Sequence, residues 1–214
     1  RRKISLYTSV IPVEYKDHKI NVLDTPGYAD FVGEVISGLR VVDAGIMVVD
    51  AVSGLEVGTE IAWQHFNTFN LPRFVVMNKM ERENADFRKA LASMQEFSEI
   101  RLIPIQLPWG EKADFKGVID IVTMKAYKGE GRTAEEIPAE YLNDAEEARM
   151  ALVEAAAEGD DTLLEKYLET GELSSEEVMQ GLKSVVKNCN FIPVLVTSGT
   201  QEIGIGPLLD AIIN

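Results

Sequence analysis

The residues best suited to chemistry follow an alternating apolar stretch, residues 20–24, which ends at Asp24 and continues into Thr25, Pro26 and Gly27. An aspartate at the carboxyl end of a strand can hold Mg²⁺ through water, and a glycine leaves a bare backbone N–H that can approach a terminal phosphate. Taken alone, Asp-x-x-Gly is a weak pattern, because a plain Pro-Gly turn produces it more often. The stretch predicts a metal- and phosphate-binding loop only if other parts of the chain support it.

Two more predicted strands, residues 73–77 and 191–196, also end in short loops of polar and small residues. The first loop is Asn78-Lys79-Met80-Glu81 and the second is Thr197-Ser198-Gly199. Ligands of parallel α/β sheets bind at the carboxyl ends of the strands. Three such loops in order along one chain favour a nucleotide site over an isolated turn.

In combination these loops resemble those of P-loop GTPases, in which an Asn-Lys-x-Asp loop reads guanine and a later Ser-Ala loop offers it a backbone N–H. The likeness narrows to translational GTPases of the elongation factor G type and covers nearly the whole chain. It is carried by KDHKINVLDTPGYADF, NKMERENADF, IQLPWGEKADFKGVIDIVTMKAY and a long insertion before the last strand.

The resemblance implies a role for each residue that matches a family motif. The implied nucleotide-binding residues are Asp24, Thr25, Pro26, Gly27, Asn78, Lys79, Glu81, Ser198 and Gly199. The implied Mg²⁺ ligands are Asp24 and Ser5, where the family has a threonine. The implied catalytic residues are Gly27 and Tyr28, which stands where elongation factor G has the histidine that positions the attacking water.

Several of these positions depart from the family pattern. Tyr28 replaces the histidine, Glu81 replaces the guanine-reading aspartate, and Lys3 replaces a glycine near Ser5. Gly199 replaces an alanine, which is a mild change because the contact is made by a backbone N–H. The patterns YADFVGE and SG…EIGI resemble a divergent branch of elongation factor G-like paralogues. Tyr28 could instead pack outward while another residue acts.

No segment of the 214 residues matches Gly-x-x-x-x-Gly-Lys-Ser/Thr, the P-loop that holds the β- and γ-phosphates. In the family this loop lies some tens of residues before the strand pair that opens this chain. We therefore expect a shortened sequence rather than a true loss of nucleotide binding. We expect neither GTP, GDP nor Mg²⁺ to bind these residues tightly, and we expect this fragment alone to be inactive.

Strand and helix patterns alternate through the first half of the chain. A strand at 45–49 precedes a helix at 59–69, and the strand at 73–77 precedes a helix that Asn84 would cap. This alternation predicts an α/β fold of the P-loop GTPase type, with a mainly parallel sheet and helices on both faces. All three loops would then lie at the carboxyl ends of its strands.

The amino-terminal segment reads as a hairpin followed by a helix. Residues 4–13 and 19–24 are expected to pair, with His18 in the turn between them. The helix after Gly27 contains Gly33 and Gly38, each of which disfavours a helix by about 1 kcal/mol relative to alanine. These glycines either let the helix reorder or merely allow close packing.

From about residue 100 the pattern changes to short strands, at 102–107, 115–121 and 124–127, which predict a separate small sheet. Helices follow, and the last begins at Ser174, which forms a capping box with Glu177. The predicted organisation has three segments. These are an amino-terminal GTPase part at 1–99, an inserted α+β subdomain at 100–189, and the final strand, guanine loop and helix at 190–214.

The net charge of −14 is concentrated in one segment, because residues 130–177 hold sixteen acidic residues against three basic ones. Phosphate backbones repel so acidic a segment, which is therefore expected to face solvent or a protein partner. A simple solvated helical surface explains the charge equally well. The resemblance implies contact between this insertion and the stalk proteins of the large ribosomal subunit.

The remaining composition limits the class of protein. One cysteine, Cys189, excludes an internal disulfide framework, and His18 and His65 are too few and too far apart for a metal cluster. No apolar run approaches the ~18 residues that would span a bilayer. We expect a cytoplasmic monomer that does not contact membranes.

Three functions are consistent with the sequence. The first is the GTP-binding domain of a ribosome-associated elongation factor G-like GTPase, whose GTP hydrolysis is coupled to a step of protein synthesis. The second is a GTP-dependent ribosome-binding module with little or no hydrolysis. The third is an unrelated nucleotide-binding α/β domain that shares only general features.

Overall fold

The computed structural model describes residues 4–214. The first three residues of the predicted 1–99 segment, Lys3 among them, lie outside the described residues. The strands are β1 (Ser9–Tyr15), β2 (His18–Asp24), β3 (Gly45–Asp50), β4 (Arg73–Asn78), β5 (Arg101–Pro104), β6 (Gln106–Trp109), β7 (Gly117–Asp120), β8 (Lys125–Lys128), β9 (Ala134–Glu135) and β10 (Phe191–Val196). The α-helices are α1 (Val32–Leu39), α2 (Val57–Phe69), α3 (Phe87–Phe97), α4 (Ala139–Ala157), α5 (Asp161–Thr170), α6 (Ser175–Lys187) and α7 (Ile205–Ile213).

The central sheet consists of four parallel strands in the order β3-β4-β10-β5. Along β4, Val75 and Met77 pack in one core with residues of α2 and α3, while Val76 lies in a second core with α4, α6 and the smaller sheet. Every residue of β10 is buried, as expected for a parallel strand covered on both faces. The predicted α/β fold with a parallel sheet and helices is confirmed.

Strand β3 forms one edge of this sheet in the described part of the chain. Its residues alternate, with Met47 and Val49 buried against α2 while Ile46 and Val48 are 40% and 59% exposed. The same face of the sheet is covered at Val76, one strand further in. The second core therefore does not extend as far as β3.

The hairpin of β1 and β2 is a separate antiparallel ribbon and is not hydrogen-bonded to the central sheet. Its two-residue turn consists of Lys16 and Asp17, both in the left-handed region with φ of 45° and 62°. His18 was expected in the turn but is the first residue of β2, paired with Tyr15, because two left-handed residues suffice to reverse the chain. The expected start at residue 4 is also wrong, since residues 4–8 form no strand.

The smaller sheet is antiparallel in the order β6-β7-β8-β9. Strand β5 was expected in it but pairs with β10 in the central sheet, because the apolar run from 102 to 107 is two strands in different sheets. The backbone of Ile105 joins them, since its N–H donates to Val194 O and its carbonyl accepts from Ile121 N–H. The predicted domain boundary near residue 100, between the 1–99 and 100–189 segments, remains a proposal.

Local capping residues set two helix starts. The α6 capping box is confirmed, with Glu177 N–H donating to Ser174 Oγ at 3.2 Å and Ser174 N–H donating to Glu177 Oε2 at 2.8 Å. Asn84 does not cap α3; Asp86 does, through Oδ1 and Lys89 N–H at 2.9 Å. The chain turns later than expected because Ala85 is buried and Asp86 N–H donates to Ala51 O. Among the described residues, no helix has the length and hydropathy needed to cross a membrane.

Candidate nucleotide-binding site

Two of the three predicted loops lie side by side at the carboxyl edge of the central sheet. Strands β4 and β10 are neighbours, with Val196 opposite Met77. The side-chain Oδ1 of Asn78 accepts hydrogen bonds from the backbone N–H of Gly199 at 2.9 Å and from Thr197 Oγ1 at 3.3 Å. Asn78 therefore holds the second loop in place.

The backbone N–H of Gly199, the group implied to contact a guanine oxygen, is engaged by Asn78 in this structure. A ligand oxygen at this position would share that donor with Asn78 or replace it. A Cβ added at Gly199 would meet Asn78 Oδ1 at 3.6 Å, which is an ordinary van der Waals contact. The geometry therefore accommodates the alanine that the family has at this position.

Ser198, the other predicted residue of this loop, is fully buried. Its N–H donates to Ile203 O and its carbonyl accepts from Ile203 N–H, so the loop closes on itself. The Ser198 hydroxyl accepts from Gln201 N–H at 3.2 Å. Ser198 shapes the loop, and its side chain does not face solvent.

Lys79 is held by a residue that sequence reasoning did not place in the site. Its ammonium lies 2.5 Å from Asp50 Oδ2, at the end of the neighbouring strand β3, and its own φ is 64°. Burial of Asp50 opposes ionisation, but hydrogen bonds from Lys79 and from Val52 N–H outweigh it and lower the pKa of the carboxyl. From the sequence, Asp50 could be recognised only as an aspartate at the end of a strand. In the structure that strand lies beside β4, with Asp50 opposite Asn78.

Glu81 presents an acceptor that has no donor. Its Oε2 atom is buried and has no hydrogen-bond partner in the structure. A buried carboxylate oxygen without a partner is costly, and natural proteins rarely leave one unless a ligand or water completes it. Because Oε2 is shielded from solvent in this structure, a ligand donor could reach it only if the Glu81 side chain turned outward.

The third predicted loop, from Asp24 to Tyr28, shares no hydrogen bond with the other two loops in the described structure. It follows β2 of the ribbon, so the expectation that all three loops end strands of one sheet is wrong for this loop. Its Gly27 carbonyl lies 3.2 Å from the position of a Cβ at Gly58, near the start of α2. Within residues 4–214 no hydrogen bond links it to the loops of Asn78 and Gly199.

The side chains of this loop are open. Asp24 is exposed, Thr25 is partly buried, Pro26 is buried and Gly27 is exposed. Tyr28 is 58% exposed and no hydrogen bond of its hydroxyl is present in the described structure. The loop could therefore present a carboxylate, an N–H and a phenol to a ligand without first breaking side-chain contacts.

Ser5 is exposed in the irregular segment before β1. This segment is tied to α1 nearby, because the backbone N–H and the hydroxyl of Thr8 both donate to Glu34 Oε2 at 2.7 Å. These bonds, the backbone one foremost, lower the pKa of the Glu34 carboxyl. Across the described residues, no group of three or more His, Cys, Asp or Glu side chains could hold a metal ion by itself. Mg²⁺ commonly takes one or two protein ligands, water and phosphate oxygens, a pattern that Asp24 and Ser5 fit by donor type.

Two comparisons with known proteins agree with this architecture. Residues 1–214 match the family described as "Elongation factor Tu GTP binding domain". The fold is similar to that in a crystal structure of a protein from Thermus thermophilus, with a TM-score of 0.90 and 35% sequence identity. The match covers 98% of this chain and 32% of the Thermus chain, so this chain spans about a third of that protein's length.

Proposed function

This chain belongs to the elongation factor Tu GTP-binding domain family, and from that membership we propose that it is the GTP-binding domain of a ribosome-associated, elongation factor G-like GTPase. In the whole protein, GTP hydrolysis would be coupled to a step of protein synthesis. The divergent paralogue branch and a cytoplasmic, monomeric state are part of this proposal.

The observation that carries the proposal is the junction of the two loops, in which Asn78 Oδ1 accepts from Gly199 N–H at 2.9 Å beside the loop that carries Glu81. A carboxylate acceptor, an amide and a backbone N–H together suit the donors and acceptors on the edge of guanine. Adenine offers a different set, because it has no ring N–H paired with an exocyclic amine on that edge. Base choice would therefore rest on Glu81.

The phosphate side of the proposed site would be formed by the Asp24 loop. Asp24 and Ser5 would hold Mg²⁺, which supplies charge neutralisation at the phosphates when bound. The N–H of Gly27 would contact the terminal phosphate, and the exposed phenol of Tyr28 would orient a water. The P-loop motif does not occur in these 214 residues, so we expect only weak binding of nucleotide and Mg²⁺ to them alone.

A binding module with little hydrolysis is the alternative, and the chemistry of Tyr28 favours it. A phenol cannot carry a positive charge, whereas a histidine can become a cation near neutral pH. Slow hydrolysis would leave the GTP-bound form long-lived. The two functions differ only in the rate of phosphate release on the ribosome.

The partner on the ribosome would be the stalk proteins of the large subunit, through the acidic helices α4 and α5. These helices expose apolar side chains among their carboxylates, with Met150 65% and Leu168 76% exposed. Mixed acidic and apolar surface suits a protein partner better than RNA. The domain division at 1–99, 100–189 and 190–214 belongs to the same proposal.

The test is competition binding with the full-length protein and a fluorescent GDP. GDP and GTP should displace the probe at least about a hundredfold better than ADP, since a site that pairs with a polar edge strongly rejects an analogue that lacks it. Ribosome-stimulated phosphate release then separates hydrolysis from simple binding. Equal displacement by ADP would contradict the proposal.

A further inference from the structure

A small cavity lies at the amino-terminal end of β4, at the opposite end of that strand from Asn78. Its volume is about 270 Å³ and its walls include Trp63, Phe66 and Asn67 of α2, together with Arg73, Glu99 and Cys189. None of these residues belongs to the proposed nucleotide site. The cavity therefore needs an explanation of its own.

Arg73 is the unusual group in this cavity. The residue is only 3% exposed, and its guanidinium carbon lies 4.3 Å from the ring centroid of Trp63 and 5.5 Å from that of Phe66. Its Nη2 donates to Asn67 Oδ1 at 2.6 Å. Its Nε is buried and has no acceptor among residues 4–214. This buried cation is stacked on aromatic rings and lacks one of its hydrogen bonds.

The counter-charge of Arg73 is also missing within the described chain. No carboxylate of residues 4–214 forms an ion pair with it, and Glu99, which lines the same cavity, is exposed to solvent. Buried charges in proteins are normally paired with an opposite charge. A water molecule could accept from the free N–H, but it would not neutralise the charge. The cavity thus offers a cation and open space, but no anion.

We propose that this cavity binds the carboxylate of a small organic acid with a short apolar group. The guanidinium presents N–H groups in a planar fork that matches a carboxylate, and the flanking rings hold that fork rigidly. The rings of Trp63 and Phe66 would contact the apolar part of the ligand. A volume below the ~300 Å³ of ordinary ligand pockets limits the ligand to a small molecule of about the size of benzoate.

Cys189 provides a reporter, because this residue lines the cavity and it is the only cysteine in the sequence. Iodoacetate and iodoacetamide both alkylate a thiolate, which forms an S–C bond as the C–I bond breaks and iodide leaves. Only iodoacetate carries a carboxylate. The ratio of the two rates cancels the reactivity of the thiol itself and measures the attraction of the cavity for the carboxylate.

The rates are measured at Cys189 by peptide mass spectrometry in the full-length protein, folded and unfolded in urea. The iodoacetate-to-iodoacetamide ratio should be about tenfold higher in the folded protein, the size of one charge-assisted hydrogen bond. Arg73→Gln should abolish this increase, and Glu99→Gln should enlarge it. Arg101→Gln, which removes an exposed arginine paired with Glu158, should leave it unchanged. Equal ratios in the folded and unfolded protein would overturn the proposal, even if Arg73→Gln does not fold.

Reversible ligands identify the source of the carboxylate. Benzoate should slow the alkylation of Cys189 by iodoacetamide in a saturable manner, whereas benzamide should be at least about tenfold weaker because it lacks the charge. A short peptide with a free carboxyl terminus is tested beside them. Equal protection by benzamide, or stronger protection by the peptide, would overturn the assignment to a small organic acid.

Discussion

Lys79 Nζ lies 2.5 Å from Asp50 Oδ2, so the ends of neighbouring strands β4 and β3 are joined by an ion pair. The Asp50 side chain is 16% exposed and that of Lys79 is 38% exposed, so water screens the pair only in part. In the proposed site, Lys79 must reach over a guanine ring. In that site Asp50 would act as a positioning residue for Lys79.

Replacing Asp50 with asparagine should release Lys79. The ion pair is partly exposed, so its loss should lower the free energy of unfolding by about 1 kcal/mol at neutral pH. In the full-length protein we expect a weakening of GDP binding of up to about tenfold from the same loss of positioning. Asp43→Asn, which alters an exposed aspartate, is the matched control for both measurements.

The stability lost in Asp50→Asn should depend on pH, because the pKa of Asp50 is lowered in the folded protein. A carboxyl whose folded pKa lies below its unfolded value of about 3.9 stabilises the fold above that value and loses this contribution as the pH falls through the folded pKa. The stability difference between wild type and Asp50→Asn should be constant from pH 7 to about 5 and shrink below about 4. Urea unfolding at several pH values measures it, and a difference that grows in acid would contradict the assignment.

Two glycines near the second loop should differ in how strongly a change to alanine affects stability. Gly199 does not have a positive φ and a Cβ would find ordinary contacts, so Gly199→Ala should change stability by less than about 0.5 kcal/mol. Gly204 has φ 78° and a Cβ would lie 2.7 Å from Val196 O. Gly204→Ala should therefore destabilise by at least about 1–3 kcal/mol, measured by thermal or urea unfolding. Similar effects of the two changes would mean that the loop is built differently.

Some of this structure was predictable from local sequence and some was not. Strand β10 and the cap of α6 were predictable because a continuous apolar run and the Ser174–Glu177 pair carry their own signals. The break between β5 and β6 is set by pairing with β10, a contact distant in sequence. Local propensity cannot report such pairing.

The site shows the same division. Asn78, Glu81 and Gly199 lie at or just after the ends of strands and could be named from sequence, but the residues that contact them could not. That Asn78 Oδ1 holds Gly199 N–H depends on β4 and β10 being neighbours. The ion pair of Asp50 depends likewise on β3 lying beside β4.

Glu81→Asp in the full-length protein should preserve or tighten GDP binding. Aspartate offers the same two acceptors with one methylene less, so a shorter side chain loses less rotamer freedom, worth about 0.5–1.5 kcal/mol. Glu81→Gln should weaken binding, because one acceptor becomes a donor facing the donors of guanine. Glu83→Asp, at an exposed neighbour, is the control. A tenfold loss on Glu81→Asp would show that the loop is built around glutamate.

Tyr28 should set the rate of hydrolysis in the proposed function. Its exposed phenol can donate one hydrogen bond and accept another, so it can hold a water, but it brings no positive charge to the phosphates. A positioned proton-transfer group typically contributes about 10² to 10⁴ in rate, so we expect slow rather than absent hydrolysis. The measurement is single-turnover phosphate release by the full-length protein with ribosomes, at several pH values. Tyr28→His should be faster than wild type, most clearly below about pH 6.5 where the imidazole is charged, and Tyr28→Phe should be slower. Equal rates for all three would show that Tyr28 takes no part in catalysis, since Tyr28→Phe removes the hydroxyl and Tyr28→His replaces the phenol with an imidazole that can carry charge.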